Sequence, residues 1–286
     1  MSNTTAPPSR QLRRLLVHID SDSSCVARAR VSARIAALHG CELVGIAPAG
    51  TVQVPPGIHS AALAISAADA ARQSALLLAE RRLRQFGSIA SASGATAVSA
   101  HAVEGDAKSV LLHYALTNDL LVISRPADGA SDRIGFSLLE QLLLHCPRPA
   151  LVLPGGCSPH DLGKRIIVAW DGSPPAARAA ADAMPLLVRA DHVHLCAWHH
   201  VHDGTDMSEH LGPVLQWLAA HGVNATPWVK AVREPIGDAI CATTLSLGAD
   251  LVVMGVYGHS RWVERVLGGV TRTALSRSPV PLLMSH

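Results

Sequence analysis

Leu15-Leu16-Val17-His18-Ile19-Asp20 near the start of the chain and Ile166-Ile167-Val168-Ala169-Trp170-Asp171 past its middle read as one motif written twice. Each is a short apolar run that closes on an aspartate, as a strand buried on both faces does when it runs out into a polar loop. Two further landmarks recur in the same order. Asp119-Leu120-Leu121-Val122-Ile123 is matched by Asp250-Leu251-Val252-Val253-Met254. Pro147-Arg148-Pro149-Ala150-Leu151-Val152 is matched by Pro279-Val280-Pro281-Leu282-Leu283-Met284. Three landmarks in one order mark an internal duplication.

Working outward, each half alternates apolar runs with longer Ala/Leu-rich stretches of helical period, such as Val26 to Leu38 and Ala176 to Leu187. That alternation predicts a parallel sheet with right-handed crossovers, in the order β-α-β-α-β-α-β-α-β. The expected fold is therefore α/β: two tandem five-stranded parallel-sheet domains of Rossmann-like, adenine nucleotide alpha hydrolase-like sandwich type. Pro154-Gly155-Gly156-Cys157-Ser158-Pro159 has the composition of a linker. The predicted division is a disordered tail at 1–10, a first domain at 11–153, a linker at 154–163 and a second domain at 164–286. The halves differ most between Ala47 and Ala75, an Ala-rich excursion that the second half replaces with a shorter, His-rich stretch from His199 to His221.

Composition narrows the function classes. Hydrophobic residues make up 49% of the 286 residues but aromatics only 3%, so the core is built from Ala, Leu, Val and Ile. A net charge of +2 without long single-sign runs gives no electrostatic case for a nucleic-acid partner. Arg81, Arg82 and Arg84 read as a solvated helix face. The six cysteines are scattered without a CxxC pair, as in a reduced, cytoplasmic protein. No apolar run reaches the roughly 18 residues of a membrane span, and the start of the chain lacks the apolar stretch of a signal peptide.

The chemistry concentrates in one loop. After the fourth strand of the second half comes Gly255-Val256-Tyr257-Gly258, and nine residues on comes Gly268-Gly269-Val270-Thr271-Arg272. A loop leaving the C-terminal edge of a parallel strand lies where open α/β sheets bind ligands. Glycines let the backbone approach an anion closely. A helix starting near Gly269 aims N–H donors at the same point, with a hydroxyl from Thr271 and a charge from Arg272.

The pattern Gly-x2-Gly-x9-Gly, after an Asp-Leu-Val-Val-Met strand and before a Pro-Val-Pro strand, resembles the signature of the universal stress protein family. The resemblance covers about 11–153 and 164–286; Tyr257 to Arg261, Leu267 to Arg272 and the ending Met284-Ser285-His286 are similar to tandem proteobacterial members. It implies a stress-response regulator that binds an adenine nucleotide, ATP with or without Mg²⁺, in the second domain. Asp171 would contact adenine and Trp198 would line the base pocket. Gly255, Gly258, His259, Gly268, Gly269, Val270 and Thr271 would surround phosphates and ribose. ATP-binding members carry Ser or Thr directly after the third glycine, where this chain has Gly269. The first-half loop, Ser124-Arg125-Pro126-Ala127-Asp128-Gly129-Ala130-Ser131-Asp132-Arg133, lacks the glycines and adds two carboxylates. Asp20 remains, but that half is expected to be a degenerate, structural partner.

Other readings of these residues are blander. His192, His194, His199, His200 and His202 suit a strand edge and a polar loop as well as a metal site. Trp170 and Trp198 suit a core, and Trp262 a cover over the site or an interface. Glu234 and Asp238 could reach the site through Mg²⁺ or cap a helix. There is no Gly-x-Ser-x-Gly elbow or Walker lysine, so binding is expected rather than turnover, with slow ATP hydrolysis as the most that is anticipated. Leu282-Leu283-Met284 and Leu151-Val152-Leu153 are expected to pair within the chain, and two chains to form a homodimer. The alternative is a stress protein that binds no nucleotide and acts through dimerisation and partner contacts.

Overall fold

The structure, a computed structural model, describes residues 11–51, 61–126, 132–155, 157, 162–201, 208–256 and 268–286, with the backbone alone at 61–62, 132–136 and 208–210. Contacts divide the chain into two units, one spanning Arg13–Arg148 and the other formed mainly by Pro149–His286.

The first unit runs β1 (Arg14–His18), α1 (Cys25–His39), β2 (Glu42–Pro48), α2 (Ala61–Ala92), β3 (Val98–Val103), α3 (Ala107–Ala115), β4 (Leu120–Ser124) and α4 (Asp132–His145). Its strands lie in the order β3-β2-β1-β4, all parallel. The second unit runs β5 (Ala150–Leu153), β6 (Arg165–Ala169), α5 (Pro174–Asp182), α6 (Met184–Leu187), β7 (His192–His200), α7 (Ser208–Ala220), β8 (Ala225–Val232), α8 (Ile236–Ser246), β9 (Leu251–Gly255), α9 (Gly269–Arg277) and β10 (Leu282–Ser285). Strands β10-β9-β6-β7-β8 are parallel, and β5 joins β10 antiparallel, with Leu283 opposite Leu151. The expected alternation of strand and helix and the mostly parallel α/β sheet are what the structure has. The closing Pro-x-Pro strand of the first repeat, β5, belongs to the second unit, where its four buried residues pair with β10.

The central strands are apolar and sealed on both faces in their middle residues: Leu15, Leu16 and Val17 of β1 and Ile166, Ile167 and Val168 of β6 are fully buried. The repeated Asp before the fourth strand of each repeat now has a physical role. Asp119 Oδ2 accepts the Arg13 and Arg14 backbone N–H at 2.7 and 2.9 Å. Asp250 accepts those of Gly163, Lys164 and Arg165 at 2.6, 2.9 and 2.8 Å. Each carboxylate clamps the start of its repeat's first strand at the N-terminal edge of the sheet, the edge away from the candidate site.

Helix boundaries follow capping chemistry. Asp106 caps α3 by accepting from Ser109 N at 2.9 Å, and α1 ends at Gly40 with φ 62°. The apolar period from Ala176 to Leu187 predicts one helix; the structure has two, α5 and α6, meeting at Ala183. Pro185 has no N–H to donate and its ring crowds the carbonyl four residues back, so the first helix cannot run through it. Gly45 of β2 faces Phe86 of α2 so closely that an added Cβ would overlap the ring. That contact anchors the C-terminal part of α2.

Candidate functional site

Strand β6 delivers Trp170 and Asp171 to the C-terminal edge of the second sheet. Gly172 follows with φ 76°, a left-handed turn that glycine adopts without strain. The turn lets Asp171 Oδ1 accept from Ser173 N at 2.9 Å. Ser173, buried, in turn accepts from Ala176 N at 3.3 Å and starts α5, whose first residues are Pro174 and Pro175. Asp171 itself is exposed at this edge.

Gly255 ends β9 on the same edge. A Cβ there would stand 2.6 Å from both Ala176 N and the Pro175 carbonyl carbon. Its glycine is thus required by the close approach of α5, in addition to anything it does for a ligand. Gly268 and Gly269 are a different kind. Gly268 is the N-cap of α9 and Gly269 its first residue, and a Cβ added at either meets nothing within 4 Å. Among the described residues no packing demands glycine there. The first N–H groups of α9 lack intrahelical acceptors, at an end with partial positive charge. Val270 is exposed, and Thr271 is buried with 4% of its surface accessible, so its side chain is packed into the unit. Helix α8 holds α9 in place: a Cβ on Gly237 would come within 2.6 Å of Thr273 Cβ.

Trp198 lies on β7 beneath this edge. It is buried, its indole N–H donates to Thr243 Oγ1 of α8 at 3.3 Å, and its ring sits 5.7 Å from that of Trp228. The side chain is therefore committed to the contact between β7 and α8. Asp238 is bound to Arg277 at 2.6 Å, and Glu234 accepts from the backbone N–H of Arg233 at 3.2 Å, so both carboxylates have local work. Among the described residues no group of three His, Cys, Asp or Glu is placed to hold a metal ion. Gly258, His259 and Trp262 lie outside the described residues, as do His202 and the first-half loop from Ala127 to Ser131.

The counterpart edge of the first repeat holds residues that the sequence reading missed. Arg28 of α1 has 1% of its surface accessible. Its Nε–H donates to the His18 carbonyl at 2.7 Å and its terminal nitrogen to Asp20 Oδ1 at 2.6 Å. His18 Nδ1 lies 3.3 Å from the other oxygen, Asp20 Oδ2. Burial lowers the His18 pKa to about 4, against the raising influence of Asp20. Burial alone would raise the Asp20 carboxyl, but the Arg28 guanidinium beside it, with His18 and the Asp22 amide, holds it below the ordinary carboxylate value. Two cavities adjoin this cluster: one lined by Ser124, Leu139 and Leu142 holds about 110 Å³, and one lined by Asp20, Cys25 and Phe86 about 280 Å³. The first is well short of the roughly 300 Å³ at which ligand pockets begin and the second close to it. The signal was present in the sequence: Arg28 stands on the same helical stripe as Val31, Ser32 and Ile35, where a charge needs a buried partner.

Residues 163–286 match the sequence model of the Universal stress protein family. Among solved structures, a universal stress protein from Archaeoglobus fulgidus DSM 4304 is similar over 96% of this chain and 96% of its own, at 18% identity and a TM-score of 0.75. A functionally unknown protein from Pseudomonas aeruginosa PAO1 is similar over 96% of this chain and 92% of its own, at 16% identity and a TM-score of 0.55. These likenesses bear on the fold. No curated protein matches the chain.

Proposed function

Because residues 163–286 match the Universal stress protein family model and the sequence is duplicated, we propose that the chain is a tandem universal stress protein whose second repeat binds an adenine nucleotide and whose first does not. The reading rests on one observation above all. Gly268 and Gly269 open α9 with no packing reason among the described residues to be glycine, at a helix N-terminus whose charge and N–H donors suit an anion. Asp171 is an exposed acceptor at the C-terminal edge of the same sheet, suited to the exocyclic amine of adenine. Phosphates would be held by the amides of Gly268, Gly269 and Val270, together with Gly258 and His259 from the loop. The sequence carries no Gly-x-Ser-x-Gly elbow and no Walker lysine, so the proposed role is ligand sensing rather than turnover.

The first repeat lacks both parts. Asp20 is already paired with a buried guanidinium, and its loop carries acids in place of glycines. It serves as a structural partner.

Calorimetric titration of the full chain with ATP–Mg²⁺ tests the reading. Saturable heat is expected for the native chain and none for Asp171→Ala. Absence of heat and of any thermal shift at millimolar nucleotide would sink it. A second reading, an interaction protein that binds no nucleotide, draws on Gly269 where family members carry a hydroxyl, on the burial of Thr271 and on the engagement of Trp198 by Thr243. Absorbance near 260 nm in the freshly purified protein, or its lack, separates the two.

A further inference from the structure

Helices α1 and α2 are packed together in the first unit and leave a cavity of about 280 Å³ between them, beside Asp20. Its walls are apolar: Val26 and Ala29 from α1, Phe86 and Ile89 from α2. Polar groups interrupt them at a few points, as in the lining of small-molecule sites. Arg82 and Gln85 come from α2, and Asp22 from the turn that precedes α1.

The arginine departs from the sequence reading. Arg81, Arg82 and Arg84 read as one solvated face, and Arg81 and Arg84 are exposed. Arg82 stands on the stripe of Phe86 and Ile89, which turns toward α1. It is half-buried, and among the described residues it has no ion-pair or hydrogen-bond partner. The same cavity holds the opposite charge. Asp22 Oδ1 accepts from Ser24 N at 2.7 Å, while the other oxygen has no partner among the described residues. Arg82 and Asp22 therefore line one cavity without pairing with each other. Asp20 also borders it, but Arg28 already neutralises that carboxylate.

The first turn of α1 adds donors. Ser24 is its N-cap but makes no capping bond, and its buried Oγ is unpartnered. The Val26 and Ala27 amides are left without acceptors among the described residues. Two free N–H groups thus stand at the positive end of a helix whose first turn borders the cavity.

We infer that this cavity binds a small amphipathic zwitterion, an α-amino acid with an apolar side chain. The carboxylate takes Arg82, the Gln85 amide and the free amides of α1. The ammonium takes the open oxygen of Asp22, and the side chain lies against Phe86 and Ile89. An acid alone would leave Asp22 unpaired beside a second negative charge. An amine alone would do the same to Arg82. A half-buried charge gains less from water than an exposed one, so a ligand that completes both pairs is favoured over a ligand that completes one.

Calorimetric titration of the full chain with L-leucine, L-methionine and L-phenylalanine reads the inference. Saturable binding is expected. The matching amine and acid, for leucine 3-methylbutylamine and 4-methylpentanoate, should each bind at least about tenfold more weakly, the loss of one charged hydrogen bond. Arg82→Gln and Asp22→Asn should weaken the amino acid by a similar factor with helix content unchanged by circular dichroism. Arg81→Gln, on the exposed face, should not. Cys25 borders the cavity, so saturating amino acid should slow its alkylation by iodoacetamide. No heat from any of the three amino acids at millimolar concentration overturns the inference. So does an acid that binds as well as its amino acid, or binding indifferent to Arg82→Gln.

Discussion

Asp20 and Asp171 end the same strand of the two repeats, and each turns back to accept a backbone N–H two residues on. Eight residues further along the chain, the first repeat has Arg28 where the second has Ala179, and two residues before each aspartate stand His18 and Ala169. Those substitutions separate two chemistries. In the first repeat the carboxylate is the counterion of a buried guanidinium and lies 3.3 Å from a buried imidazole nitrogen. In the second, Ala179 is itself fully buried, brings no charge, and leaves Asp171 facing outward. A shared landmark can thus serve internal electrostatics in one copy and, under the proposed function, recognition in the other, because the neighbours decide how far its carboxylate is exposed.

The comparison is most open to attack through paired substitutions. Asp20→Ala should destabilise the first repeat by about 3–5 kcal/mol, since it strands a buried guanidinium. Asp171→Ala should cost only about 1 kcal/mol of stability, the worth of a turn hydrogen bond, while removing nucleotide binding. Urea denaturation of both variants measures the gap, and equal losses would erase the distinction.

The next effect is acid sensitivity. His18 titrates at 6.5 in the unfolded chain and at about 4 when folded. Between those values the unfolded chain binds the extra proton. The stabilisation is therefore complete above pH 6.5 and is lost as pH falls toward 4, by about 3 kcal/mol at 1.36 kcal/mol per unit. Asp20, whose pKa is also lowered, adds a loss of the same sign on acidification. His18→Asn keeps a donor near Asp20 and removes the titration, so its stability should vary less over that range. Denaturation midpoints at a series of pH values decide this; Ala169, at the equivalent position of the second repeat, has no group to titrate.

Smaller effects distinguish the glycines. Gly255→Ala forces a Cβ against the backbone of Pro175 and Ala176 and should destabilise by about 1–3 kcal/mol, visible as a lowered melting temperature without ligand. Gly269→Ser has open space and should leave stability unchanged or slightly better. It should also tighten ATP binding by roughly 0.5–1.5 kcal/mol, a single hydrogen bond. If titration shows no gain, the missing hydroxyl is not what separates this loop from those of its family.

Much of this was legible in the residues. The doubled strand-plus-Asp motif, the Asp before the fourth strand and the Pro-x-Pro ending carry the duplicated α/β order, because buried parallel strands leave continuous apolar runs. The helix start at Gly269 was legible too, since a glycine pair after a strand and before an Ala/Leu period is local chemistry. What stayed hidden were relations across space. Trp198 looked like a pocket wall, and only the packing of α8 shows its indole bound to Thr243. Gly255 looked like a ligand glycine, and only the descent of α5 shows a second reason for it. Arg28 looked like one more charge on a helix until the fold carried it beneath Asp20.

By itself, then, the sequence determined which segments become strands and helices, that they come in two copies, and where the glycine-led start of α9 falls. These depend on periodicity, capping and turn chemistry within a few residues of each other. Tertiary structure alone decided that the Trp198 indole is bound to Thr243, that one strand-end aspartate lies against a buried guanidinium while the other is exposed, and that Gly255 takes the close approach of α5. Each of those outcomes depends on which distant side chain fills the space next to it, and no local pattern records that.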